Sequence, residues 1–131
     1  MSLSDYLECS LLNAILRNVS FAGGATIYLA LHTADPLDAG TGAEVSGGSY
    51  ARQGLTSGFP AATGSTGQVL NTNDITFPEA TAPWGTISHV QLWDSLSGGN
   101  AYWSGPLNQT IVVDTGDTFQ IDAGEMEGRL S

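Results

Sequence analysis

The sequence predicts a mainly β fold: a single-domain antiparallel β-sandwich or barrel with one N-terminal α-helix. From residue 26 onward, several short runs alternate apolar and polar residues at period two, as half-buried strands do. Turn-forming clusters of Gly, Asp, Asn and Ser separate those runs, and the 131 residues include seventeen glycines. Only residues 3–19 repeat apolar positions at spacings of three and four, the mark of a helix with one greasy stripe.

In that helix Leu3, Leu7, Leu11, Ala14, Ile15 and Val19 form the stripe, and Leu12 and Leu16 widen it. Ser2 and Asp5 match a capping-box pattern, with Ser4 a competing N-cap. Asp5 and Glu8 suit the positive end of the helix dipole, and Arg17 suits the negative end. Gly23 and Gly24 are the expected stop. A helix this apolar must lie against its own sheet or a neighbouring subunit. TIYLALHT (26–33) is the first strong strand, with Ile27, Leu29 and Leu31 set against Tyr28, Ala30 and His32. A long Asp/Pro/Gly/Ser loop (34–49) leads to a short strand at YARQGLT (50–56). SGFPAATGSTGQ (57–68) has loop composition, and VLNTNDITF (69–77) is extended but interrupted at Asn73–Asp74. GTISHVQLWDS (85–95) is the second strong strand, turning at SGGN (97–100) into AYWSGPL. QTIVVD (109–114), DTFQID (117–122) and EMEGRL (125–130) complete the chain.

Charge narrows the function. The chain has no lysine; Arg17, Arg52 and Arg129 face thirteen acids, for a net charge of −10. Phosphate backbones require clustered Lys and Arg, so nucleic acid is not an expected partner. A P-loop needs a lysine and is excluded. The N-terminus lacks the basic and apolar regions of a signal peptide, and no stretch reaches the apolar length of a membrane span. The expectation is a protein made in a cytoplasm, with no membrane partner.

Little in the sequence suggests catalysis. His32 and His89 form no zinc-binding spacing and read as ordinary strand positions. GGSYA (47–51) lacks the last glycine of a nucleophile elbow. Cys9, the only cysteine, lies beside Glu8, which disfavours a thiolate, and reads as a buried or half-buried small apolar residue. No spacing singles out a carboxylate pair for glycoside hydrolysis. The loops 34–42, 71–74 and 114–117 carry oxygen ligands suited to calcium between subunits, and solvated turns explain them equally. Trp84, Trp93 and Trp103 fit core or interface packing better than a sugar platform. No catalytic, cofactor or metal residues are assigned.

The ordered segments LSDYLE (3–8), LLNAILRN (11–18), ATIYLALHTADPLDAGTGAEVSGGSYARQ (25–53), NTNDITFPEATAPWGTISHVQLWD (71–94) and GDTFQIDAGEMEGRL (116–130) carry a resemblance. Together they are similar to a family of small bacteriophage virion proteins commonly labelled phage tail fibre proteins. The resemblance implies a non-enzymatic structural component of the virion, without a cofactor, made in the host bacterial cytoplasm. It fits a tail fibre or tail-tip piece. A capsid decoration (cement) protein and a carbohydrate-binding module on the virion are the alternatives. The expected partners are copies of the chain itself, as a homotrimer, and neighbouring virion proteins. His32 stands where the family pattern suggests an aromatic, and the 57–68 segment is unusual.

Seven residues are singled out as structural or interface positions. Gly47 and Gly48 let the chain turn sharply out of the preceding loop. Tyr50 and Arg52, two residues apart on a strand, point to one face. With so many acids present, Arg52 is expected to pair with a carboxylate or with backbone carbonyls and pin the loop, Asp35 and Asp38 being candidate partners. Leu7, Leu11 and Ile15 mark the helix face expected to attach the subunit. The loops at 34–49 and 57–68 are candidate intersubunit or exposed surfaces.

Overall fold

The structure, a computed structural model, describes residues 2–38, 42–55, 59–62 and 68–129. Most of the 57–68 loop, and the centre of the 34–49 loop, lie outside the described residues.

The chain starts as a strand, not a helix. β1 (Ser2–Leu3) pairs antiparallel with Ser104 and Trp103, which removes Leu3 from the helical stripe. Helix α1 runs Asp5–Arg17. Ser4 is extended at φ −76° and accepts the Leu7 N–H on its side chain, so it is the N-cap. Its hydroxyl also donates to the Ala101 carbonyl, anchoring the helix start to the sheet. The Ser2–Asp5 box loses because Ser2 and Leu3 gain ladder hydrogen bonds instead. Asn18, left-handed at φ 55°, ends the helix by donating its N–H to Asn13 O. The chain therefore leaves the helix well before Gly23 and Gly24.

The later strands, in chain order, are β2 (Tyr28–His32), β3 (Gln53–Gly54), β4 (Gln68–Leu70), β5 (Ile75–Thr76), β6 (Gly85–Trp93), β7 (Ala101–Val113), β8 (Gln120–Ile121) and β9 (Glu127–Arg129). Four of them join β1 in a five-stranded antiparallel sheet in the order β1-β7-β6-β2-β3. Two short ribbons, β4 with β9 and β5 with β8, complete the β structure. The fold is mainly β with antiparallel sheets and one N-terminal helix, as the periodicity predicts.

Two expectations about the strands need correcting. AYWSGPL and QTIVVD are not separate strands but one 13-residue strand, β7. Ile111 pairs with Ile87 and Pro106 with His89, so β7 carries extra residues opposite Ser88 while staying in the same ladder. β2 also fails to alternate between buried and exposed. Ala30 and His32 are as buried as Leu29 and Leu31, because the chain at 43–45 pairs back along the strand. Thr33 N–H donates to Ala43 O at 3.0 Å and Val45 N–H to Leu31 O at 3.0 Å.

The core lies between the sheet and the ribbons. Leu29, Leu31, Ile87, Val90 and Leu92 from the sheet pack in one cluster with Ile75, Phe77, Phe119 and Met126. Phe77 meets Phe119 edge-on at 5.6 Å, and Tyr50 meets Trp84 edge-on at 5.5 Å. Edge-on pairs of this kind add about 0.5–1.5 kcal/mol beyond the area they bury. Trp84 is buried, while Trp93 and Trp103 are half-buried; the Trp93 face is covered by Arg52 and Trp103 packs against the core. None of the three rings stands open as a sugar platform.

Candidate assembly surface and the Arg52 node

Three consecutive left-handed residues, Gly47 (φ 74°), Gly48 (φ 59°) and Ser49 (φ 66°), turn the chain toward the strand. Gly48 has no room for a side chain: a Cβ would sit 2.9 Å from Ala82 O and from Trp84 Nε1. Its carbonyl accepts from Thr81 N–H at 3.0 Å and Trp84 Nε1–H at 2.9 Å, which ties the turn to the 81–84 segment.

This turn sends Tyr50 into the core and aims Arg52 at the same carboxylate. The Tyr50 hydroxyl donates to Glu44 Oε1 at 2.9 Å and accepts the Leu31 N–H at 3.0 Å. Arg52 donates from Nε to Glu44 Oε1 and from Nη2 to Glu44 Oε2, each at 2.8 Å. Its Nη1 donates to the carbonyls of Ser95 and Gly98, each at 2.9 Å. The guanidinium carbon lies 4.0 Å from the centroid of Trp93. The strand expected over 50–56 is confined to β3 (Gln53–Gly54), so Tyr50 and Arg52 lie just ahead of it, and the buried arginine ties that segment to the 42–45 segment and the β6–β7 hairpin.

Arg52 does pair with a carboxylate and with carbonyls, but the acid is Glu44 and not Asp35 or Asp38. Asp35 accepts the Leu37 N–H in its own turn at 2.9 Å, and Asp38 accepts the Ser2 hydroxyl at 3.0 Å. Glu44 is placed instead by a bridge to His32, which lays it beside β2. That contact arises from chain return and has no local spacing to announce it.

Acid weakens this node from two sides. Burial lowers the His32 pKa below its ordinary value of 6.5, outweighing the Gly42 carbonyl and the Glu44 carboxylate, which pull the other way. Nδ1 of His32 lies 2.6 Å from Gly42 O, so the neutral ring donates there. Burial would raise Glu44, but hydrogen bonds from Arg52 and Tyr50 outweigh it and hold the carboxyl below 4.5. As pH falls below 6.5, the unfolded chain takes up a proton at His32 before the folded chain does, so stability declines. Below 4.5 Glu44 adds a second loss with the same sign. Urea midpoints are therefore expected to drop between pH 7.5 and 5.5, and His32→Phe is expected to flatten that first decline. An unchanged midpoint over this interval contradicts the assignment.

The two histidines, apart in sequence, are cross-strand partners: His32 opposes His89 in the β2–β6 register. Among the described residues no group of three or more His, Cys, Asp or Glu is arranged to hold a metal ion. Side-chain oxygens of the loops considered for calcium accept hydrogen bonds from the protein itself. Asp117 Oδ2 accepts Asp114 N–H at 2.9 Å, and Asn71 Oδ1 accepts from Gly124 and Met126. A groove of about 280 Å³ runs beside Gln53–Leu55 and Asn73–Thr76. Asp74, the carboxylate lining it, accepts the Ala123 N–H at 2.9 Å. Cys9 is exposed, contrary to the expected burial, because it lies two residues from both Leu7 and Leu11 and so on the opposite side of α1 from the packed stripe.

The helix face divides along its length. Leu7 is buried in the core and Leu11 is half-buried against it, but Ile15 is 77% exposed. Leu12, Leu16 and Val19 are exposed with it. The first turns of α1 thus lie on the sheet and the later turns offer an apolar surface to water. Between Glu8 and Asp35 the only charged residue is Arg17, so α1 beyond Glu8 carries no acid of its own on a strongly acidic chain.

Curated proteins give no match to this sequence. A family model does: it covers residues 2–129 and describes the podophage GP4 fiber I protein gp80. With a match over nearly its whole length, on a β fold with a half-buried leading helix, the chain belongs to this family of phage tail fibre-type proteins.

Proposed function

We propose that the chain is a non-enzymatic tail-fibre or tail-tip component of a bacteriophage virion, assembling as a homotrimer through the exposed half of α1. The observation that carries this reading is the apolar patch of Leu12, Ile15, Leu16 and Val19. A contiguous exposed patch of this kind marks an association site, and few soluble monomers leave one uncovered. Copies with a net charge of −10 repel one another, so they meet best where acids are missing, and α1 beyond Glu8 is such a place. Membership of a fibre family supports a virion role, with neighbouring virion proteins as the other partners. The Arg52 node ties the 42–45 segment to the β6–β7 hairpin, which suits a protein that works by presenting surfaces. No lysine and few arginines leave no basic patch for nucleic acid.

Electron microscopy of virions carrying a gold label at the C-terminus of the chain tests this placement. Label on the tail is the expected result. Label over the head shell contradicts it and favours a capsid cement role.

A further inference from the structure

Four buried polar atoms on one face of the main sheet have no hydrogen-bond partner among the described residues: His32 Nε2, Gln91 Oε1, Gln91 Nε2 and Trp93 Nε1. They are not scattered. His32 opposes His89 across β2 and β6, Ala30 opposes Gln91, and Tyr28 opposes Trp93. Opposed residues share a face, as do residues two apart on a strand, so all three side chains stand on the same side of the sheet. A fifth such atom, Trp103 Nε1, belongs to the other face, because Trp103 opposes Leu92. His32 and Gln91 are diagonal neighbours, with Cα atoms about 7–8 Å apart in a ladder of this kind. Gln91 and Trp93 lie about 7 Å apart along β6. Ala30, opposite Gln91, adds just a methyl group between His32 and Tyr28, which leaves room beside the amide. His32, Ala30 and Gln91 are each no more than 1% exposed, so bulk solvent does not serve them.

The neighbouring donors are already spent. Arg52 uses Nε, Nη1 and Nη2 on Glu44, Ser95 and Gly98, and the Tyr50 hydroxyl donates to Glu44. His32 donates from Nδ1 to Gly42 O, so its Nε2 carries a lone pair and needs a donor. A buried polar group left unmatched costs more than holding a water in place. We propose that two internal waters sit on this face and tie His32, Gln91 and Trp93 into one network. The four atoms divide evenly: His32 Nε2 and Gln91 Oε1 accept, while Gln91 Nε2 and Trp93 Nε1 donate. The first water donates to both acceptors. The second accepts from both donors and donates to the first. Each water then makes three hydrogen bonds, about the usual number for a buried water. A direct bond from the Gln91 amide to His32 Nε2 would satisfy two of the atoms and strand Gln91 Oε1 and Trp93 Nε1. Gln91 is therefore the hub of the site. Through His32 Nε2 the network holds the ring in the tautomer that donates to Gly42 O, which links it to the 42–45 segment and the Arg52 node.

A crystal structure of the full chain that shows ordered water, with rotating-frame NOE spectra in solution, tests the site. Two water peaks are expected between Gln91 and the rings of His32 and Trp93. A water cross-peak is expected at the Trp93 indole N–H, opposite in sign to one from hydrogen exchange. Trp84, whose indole N–H donates to Gly48 O, is the buried control expected to show none. Gln91→Met keeps the side-chain length but removes both amide groups, and is expected to empty the site and abolish the Trp93 cross-peak. Density that sets the amide in direct contact with His32 Nε2, with no water beside it, overturns the proposal. So does a Trp93 cross-peak that survives in Gln91→Met, because its source is then solvent outside the network. If Gln91→Met does not fold, the wild-type density decides alone.

Discussion

Arg52→Ala is expected to destabilise the fold by about 3–5 kcal/mol, the cost of removing one partner from a buried ion pair. The substitution leaves the Glu44 carboxylate with only the Tyr50 hydroxyl from its present side-chain donors, and strips the Ser95 and Gly98 carbonyls of theirs. It also uncovers the face of Trp93. Much of the loss comes from the charge left behind, so Arg52→Met combined with Glu44→Gln is expected to be less harmful than Arg52→Ala alone. Arg52→Lys is expected to fall between, because an ammonium reaches one acceptor group where the guanidinium fork spans the carboxylate and two carbonyls. Urea unfolding followed by tryptophan fluorescence checks each case. An Arg52→Ala midpoint within error of wild type removes the node from the account.

Ile15→Asp and Leu16→Asp are expected to act on assembly and to spare the fold. Both positions are largely in water in the isolated chain, so a charge there costs the subunit only about 0.5 kcal/mol. In the oligomer the same charge would be buried without a partner, which is prohibitive for a patch of this size. The expected signature is a drop to the mass of one chain, with an almost unchanged unfolding midpoint. Leu7→Ala should show the reverse, a loss of about 2–5 kcal/mol, because Leu7 is 4% exposed within the core. If Ile15→Asp unfolds the chain, α1 is a core element throughout and not a docking surface.

Much of the architecture was legible because it rests on local pattern. The helical stripe, the strands at β2 and β6, and the turn glycines all follow from periodicity and backbone freedom. Helix ends were less so: Ser4 beats Ser2 because Ser2 and Leu3 are recruited by β7, far along the chain, and Asn18 pre-empts Gly23 by taking the left-handed cap itself. The same limit hid Glu44. Tyr50 and Arg52 could be placed on one face from their spacing, but the acid they share arrives through chain return beside β2. The helix stripe predicts one apolar face and says nothing of how far along it the sheet extends. Only the fold separates Leu7, inside, from Ile15, outside. The merging of two expected strands into β7 was invisible for a related reason, since the bulge that joins them shows only in the register against β6.

The mass of the purified chain in solution, at micromolar concentration, most directly tests whether this protein works by binding its own copies. The mass of three chains of 13.6 kDa is the predicted result. A wild-type chain that remains at 13.6 kDa as its concentration is raised contradicts it.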